Sequence, residues 1–200
     1  MNNHSNTYTD ARHTAIIVVD IQEDYTGKTA KPPFPYQDSE TLIASINTVL
    51  ERAVAHGCTI VYTTQEFEGL FGTIVSRLLF KGVAIKGQPG TKIDSRLKVV
   101  SDHHISKSNL NAFANPQLHA VLQEHHITDL YFVGLDGAYC LDKTARAGVR
   151  LGYSVHLLDD CVVTQFEKRC ASLRKQYDRL GIALMSRQAF LQSLEDKEKT

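Results

Sequence analysis

Three side chains in this sequence have types that can cooperate in covalent catalysis: Asp20, Lys107 and Cys140. Cys140 follows the apolar run "DLYFVG" and the turn "LDGA", so it falls in the opening turn of the next helix. Unpaired N–H groups there point toward the loop, and their field stabilises a thiolate. The same amides can receive a negative oxygen. Asp20 ends the run "AIIVVD", which carries the acid out of the core. A carboxylate placed beside a thiol can take its proton as general base. A lysine beside both, such as Lys107 in "HHISKSNLNAF", holds the carboxylate charged and favours the thiolate. Such a set replaces the histidine of a papain-type pair. Taken singly, each residue also has a plainer reading: a strand-end acid capping a turn, a surface lysine, a small core cysteine.

The histidines compete weakly for that role. His125 and His126 close a helix, where imidazoles meet free carbonyls, and His156 lies in a core strand. His103 and His104 stand near Lys107, where one can line a pocket. The four cysteines, Cys58, Cys140, Cys161 and Cys170, show no CxxC spacing, which argues against a zinc knuckle or dithiol motif. Free thiols and a reducing cytoplasm are expected.

The elements that must position these groups alternate. Continuous apolar runs occur at 15–20, 58–64, 129–134, 153–160 and 182–186, with a weaker one, "RLKVV", at 96–100. Runs apolar on both faces suit parallel strands covered by helices. Between them lie helical patterns: "SETLIASINTVLERAVAHG" with Leu42, Ile46, Val49 and Leu50 on one face, "NPQLHAVLQEHH" with Asn115 as cap and Pro116 at the first position, "YCLDKTARAGVRLG", and "QFEKRCASLRKQYDRLG". A further helix is expected around 71–80. The order predicts an α/β protein: a three-layer α/β/α sandwich with a mostly parallel central sheet and Rossmann-like winding. Ligand sites in such folds collect at the carboxyl ends of the strands. The loops at 21–37, 64–80 and 108–113 follow strand ends, so they supply the expected pocket walls: Gln22, Tyr25, Phe34, Tyr36, Phe67 and Phe113. Aromatic walls suit a small, flat or partly apolar substrate. Arg77 is either a carboxylate anchor or an exposed helical arginine.

At 200 residues one domain is expected, over 13–195, with a leader at 1–12 and a polar tail at 196–200. Lys plus Arg equals Asp plus Glu at 22 each, for a net charge of +0, so nothing steers the chain toward nucleic acid or an anionic membrane. No apolar run reaches a membrane-spanning length, and "MNNHSNTYTDARHT" lacks the apolar core of a signal peptide.

Asp20 in "VVDIQEDY", Lys107 in "ISKSNLNAF" and Cys140 in "GLDGAYCLDKTARAGVRLGYSVHLLDD" together resemble the isochorismatase-like cysteine hydrolases, a superfamily that includes nicotinamidases and N-carbamoylsarcosine and ureidoacrylate amidohydrolases. The likeness runs from about residue 14 to 186. It implies Cys140 as nucleophile, Asp20 as general base and Lys107 as third member of a triad. It also implies a cis peptide at Leu135–Asp136 and an oxyanion hole built from the N–H groups of Asp136 and Cys140. Gln22 and Asp24 match its first motif and would organise the site. An acid at Asp136 departs from the usual small or hydroxyl residue, so its carboxylate is expected to point away or to read a donor on the substrate. Nicotinamidases carry metal-binding histidines after the second strand. The matching stretch here, "YTTQEFEGLFGTIVSRLLF", has none, so no metal or other cofactor is expected. The nucleophile favours hydrolysis of a C–N bond in a small molecule; an ester or vinyl ether substrate, or a non-catalytic binding protein, are the alternatives. The resemblance further implies a homodimer or larger homo-oligomer.

Overall fold

The computed structural model describes residues 11–196 except 28, 29, 31 and 33. Six strands form one sheet: β1 (Thr14–Val19), β2 (Thr59–Gln65), β3 (His104–Lys107), β4 (Asp129–Gly134), β5 (Ser154–Val162) and β6 (Ile182–Met185). Their spatial order is β3-β2-β1-β4-β5-β6, and every pairing is parallel. The helices are α1 (Glu23–Thr26), α2 (Ser39–Ala55), α3 (Gly69–Leu79), α4 (Pro116–Glu124), α5 (Cys140–Arg150), α6 (Glu167–Tyr177) and α7 (Arg187–Glu195).

The pleat sorts the core into two layers. Ile16, Val18, Ile60, Tyr62, Tyr131 and Val133 pack with Leu42, Ile46, Val49 and Leu50 of α2 and Phe190 of α7. Ala15, Ile17, Val19, Val61, Leu130 and Phe132 face the other way, against α4, α5 and Tyr177 of α6. All six β1 residues are buried, as a central parallel strand requires. The three-layer α/β/α expectation therefore holds. Asn115 caps α4 by accepting from Gln117 N at 3.0 Å, with Pro116 at the first helical position.

One element expectation needs correction. "RLKVV" at 96–100 is not a strand; it leaves Val99 and Val100 exposed, and the third strand follows at His104–Lys107. Lys107 is the last residue of that strand. At the chain ends, residues 1–10 of the expected leader and 197–200 of the tail lie outside the described residues. Ala11, within the expected leader, packs against the core. Among the described residues no helix is long and apolar enough to cross a membrane.

Candidate active site

Sheet register gathers the chemistry at one edge. Val19 pairs with Thr63 and Gly134, and Gln65 pairs with Lys107, so the strands end together. Asp20 follows with φ +54, and its N–H donates to Thr63 O at 3.0 Å. That turn swings its carboxylate toward Lys107. Gly134 has φ +113, and a Cβ there would stand 2.2 Å from Val19 O. Only glycine lets β4 close this tightly on β1 before the chain turns into α5.

Asp20, Lys107 and Cys140 meet. Lys107 Nζ donates to Asp20 Oδ2 at 2.8 Å and to Gln65 Oε1 at 2.8 Å, and it lies 3.4 Å from Cys140 Sγ. Both members of the ion pair are buried, with side-chain exposures of 0% and 2%. Burial opposes the Lys107 charge, but Asp20 and Cys140 outweigh it and raise its pKa. Removal from water pushes the Cys140 thiol up to about 12; the Lys107 charge opposes this, while Asp20 adds to it by charge and by accepting a hydrogen bond. Desolvation outweighs the opposing effect of the lysine on this thiol.

The Leu135–Asp136 peptide is cis. Among the described residues the N–H groups of Asp136 and Cys140 find no acceptor, while those of Gly137 and Tyr139 do. The Asp136 carboxylate is saturated. It accepts from Tyr36 OH at 3.0 Å, Ala138 N at 2.7 Å, Thr164 Oγ1 at 2.8 Å and Gln165 N at 3.1 Å. It clasps the turn before α5 to Tyr36 and to the chain after β5, leaving no lone pair aimed at an incoming oxyanion.

A cavity of about 420 Å³ opens above Cys140. Tyr25, Phe34 and Phe67 line it as expected, with Tyr36. Tyr25 meets Phe34 edge-on at 5.1 Å, and Phe34 stacks on Tyr36 at 5.6 Å. Two pocket expectations fail. Phe113 does not line the cavity: Asn111 caps a short 3-10 turn that carries Phe113 into the opposite layer, where it stacks on Tyr153 at 5.9 Å. Gln22 is fully buried behind the wall, donating to Gln65 O at 3.1 Å and Thr91 O at 2.9 Å and accepting from Gln65 N at 2.8 Å. It braces the floor, as Asp24 braces the front by accepting from Ala84 N at 2.7 Å. Sequence reasoning missed Gln65, Phe80, Lys81, Tyr139, Gln165 and Phe166 as lining residues. Only Gln65, at the end of a predicted strand, left a usable signal.

The end of β2 and the residues after it hold no histidine. They are Gln65, Glu66, Phe67 and Glu68, and Glu68 pairs with Lys86 at 3.0 Å. Among the described residues no three His, Cys, Asp or Glu side chains converge in a way that could hold a metal ion.

The family model of the isochorismatase domain matches residues 14–196. The chain belongs to the isochorismatase family. A ureidoacrylate amidohydrolase of Caulobacter segnis is 28% identical over 173 residues, covering 76% of this chain and 72% of that protein. A probable inactive nicotinamidase of Arabidopsis thaliana is 25% identical over 150 residues, covering 71% and 76%. A cysteine hydrolase from Pseudomonas syringae pv. phaseolicola superposes with a TM-score of 0.80 at 19% identity, covering 94% of this chain and 95% of that one. This isochorismatase-family hydrolase thus shares the parallel α/β fold of its structural neighbours.

Proposed function

We propose that the protein hydrolyses a C–N bond of a small amide, ureide or carbamoyl compound through a thioester on Cys140. The observation that carries this is the Asp20–Lys107–Cys140 cluster, sealed into the floor of a cavity beside two amide N–H groups without acceptors. The amidohydrolase relative supports the choice of bond.

The steps follow from where protons sit. Asp20, paired with Lys107, takes the Cys140 proton as sulfur attacks the carbonyl carbon. The N–H groups of Asp136 and Cys140 receive the oxyanion. Protonated Asp20 gives its proton to the leaving nitrogen, and the C–N bond breaks to release ammonia or an amine. Asp20 then takes a proton from water as the oxygen attacks the thioester. The C–S bond breaks, the acid or carbamate departs, and the proton returns to sulfur. A raised thiol pKa suits this cycle, because charge then separates only when the oxyanion donors have something to hold.

Cys140→Ala is expected to lower ammonia release, across a panel of amides and ureides, by about four orders of magnitude or more. In the unsubstituted protein, mass spectrometry of a quenched reaction should find the acyl group on the Cys140 peptide. Turnover that survives Cys140→Ala refutes the thioester.

A further inference from the structure

The polar groups around the cavity divide into those already engaged and those that are not. The Asp20 carboxylate holds Lys107 Nζ and accepts from Thr63 Oγ1 at 3.2 Å. Asp136 accepts four donors, one of them the Tyr36 hydroxyl. Both acids of the lining are therefore satisfied internally. Four side chains are left among the described residues, the Tyr139 hydroxyl being one of them. Gln65 turns its Oε1 to Lys107, so its NH2 is free to face the cavity. The Tyr25 hydroxyl and the Lys81 ammonium also have no partner among the described residues, and both residues line the same space. With the amides of Asp136 and Cys140, each of these groups can donate a hydrogen bond. A pocket of unengaged donors is matched by a ligand rich in acceptors.

Lys81 differs from the rest by carrying a full charge at the opposite end. Asp20, Gln65 and Cys140 are buried at the floor, whereas Lys81, Gln165 and Phe166 are exposed at the rim. Lys81 sits on a tethered turn. Phe80 N donates to Ser76 O at 2.8 Å, Gly82 N to Ser76 O at 2.9 Å, and Ser76 Oγ to Val83 O at 2.5 Å. Lys81 itself has φ +58, a conformation that disfavours any side chain but is kept here for a lysine. Between rim and floor the walls are aromatic, with Phe67 stacked on Phe80 at 5.1 Å and Tyr139 edge-on to Phe166 at 4.8 Å.

We infer that the substrate is an amide or ureide with a planar apolar body and a carboxylate at the end remote from the scissile carbonyl, and that Lys81 is the residue that reads this carboxylate. The inference rests on the hydrolase reading above and extends it to substrate class. One unpaired cation at the rim matches one negative charge, so a monoanion fits better than a phosphate dianion. Lys81, not Arg77 of the sequence reading, takes the anchoring role, since Arg77 does not line the cavity.

The test uses 4-carbamoylbenzoate and its homologues with one and two methylenes before the carboxylate, each against a neutral analogue ending in methyl. The readout is the ratio of kcat/KM within each pair. The unsubstituted protein should favour at least one carboxylate through KM. Lys81→Met should reduce that ratio about fivefold to tenfold, as expected for a partly solvated charge contact, and Lys81→Arg should restore it. A ratio near one for every pair, or a preference untouched by Lys81→Met, overturns the inference while leaving the hydrolase reading intact. If neither member of any pair is hydrolysed, calorimetric binding of the same compounds to the full chain decides instead. Tighter carboxylate binding that Lys81→Met abolishes supports the anchor even as the hydrolase reading falls, and equal binding of both members refutes it.

Discussion

The cavity has two walls of different construction. Its floor is made at the ends of β1, β2, β3 and β4, where each functional group is fixed by ladder register and by bonds to its neighbours. Its front is made by Phe67, Phe80 and Lys81, which flank α3. There the apolar side chains look outward as well as in: Leu70, Phe71 and Leu78 are 81%, 80% and 78% exposed. The floor is specified by many interactions at once. The front is held by a few backbone bonds and by one carboxylate, Asp24. Bond-making chemistry needs sub-ångström placement, which strand ends supply; substrate selection tolerates a wall with more freedom.

Equivalent substitutions in the two walls should therefore have unequal costs. The largest effect is expected at glycines. Gly134→Ala drives a Cβ into Val19 O, a backbone atom that cannot yield without parting β1 from β4. Loss of about 3 kcal/mol or more, or failure to fold, is expected. Gly69 opens α3 with φ +69, yet a Cβ there meets nothing within 4 Å. Gly69→Ala should cost only about 1 kcal/mol of backbone strain. Urea denaturation of both variants measures the difference, and equal costs would remove the distinction between the walls.

Lysines give the next largest contrast. Lys107→Met leaves the buried Asp20 carboxylate without its cation and should destabilise the protein by about 3–5 kcal/mol. Adding Asp20→Asn should recover part of that loss while turnover stays absent, because the proposed base is gone. Lys86 and Glu68, the exposed pair at the front, should be worth less than about 1 kcal/mol when Lys86→Met breaks them. A double variant no more stable than Lys107→Met alone would mean that the ion pair is not what the lysine contributes.

The two walls were also unequally legible in the sequence. Asp20 and Cys140 could be placed because each follows an apolar run long enough to identify as a central strand. Lys107 needed the family resemblance. Its strand has four residues, pairs on one side only and carries a single apolar residue, Ile105, so it has no periodicity to detect. The more apolar "RLKVV" looked the better strand but has no strand beside it. Phe113 was misplaced because proximity along the chain to Lys107 says nothing once a capped 3-10 turn intervenes. Phe80 and Lys81 were missed for the converse reason. The chain returns to the cavity through left-handed residues at Lys81, Gly82 and Ala84, a path that composition does not encode.

The smallest expected effect tests whether the two walls act on Cys140 separately. Below its pKa, the alkylation rate of a thiol at fixed pH follows its thiolate fraction. With the Cys140 thiol pushed up to about 12, that fraction is small near pH 8 and grows as pH rises. Lys107 lowers this pKa, so Lys107→Met should raise it further and slow iodoacetamide labelling of the Cys140 peptide. Asp20 raises it, so Asp20→Asn should lower it and speed labelling. Lys81 lines the same cavity but stands at the solvent-facing rim, where water screens its charge. Lys81→Met should leave the labelling rate within about twofold. Opposite shifts for the two floor variants, with none for the rim variant, would show that the thiol's acidity is set by the strand ends alone. A Lys81→Met rate that follows Lys107→Met would instead make the front wall part of the nucleophile's environment, and the separation of chemistry from selection would fail there.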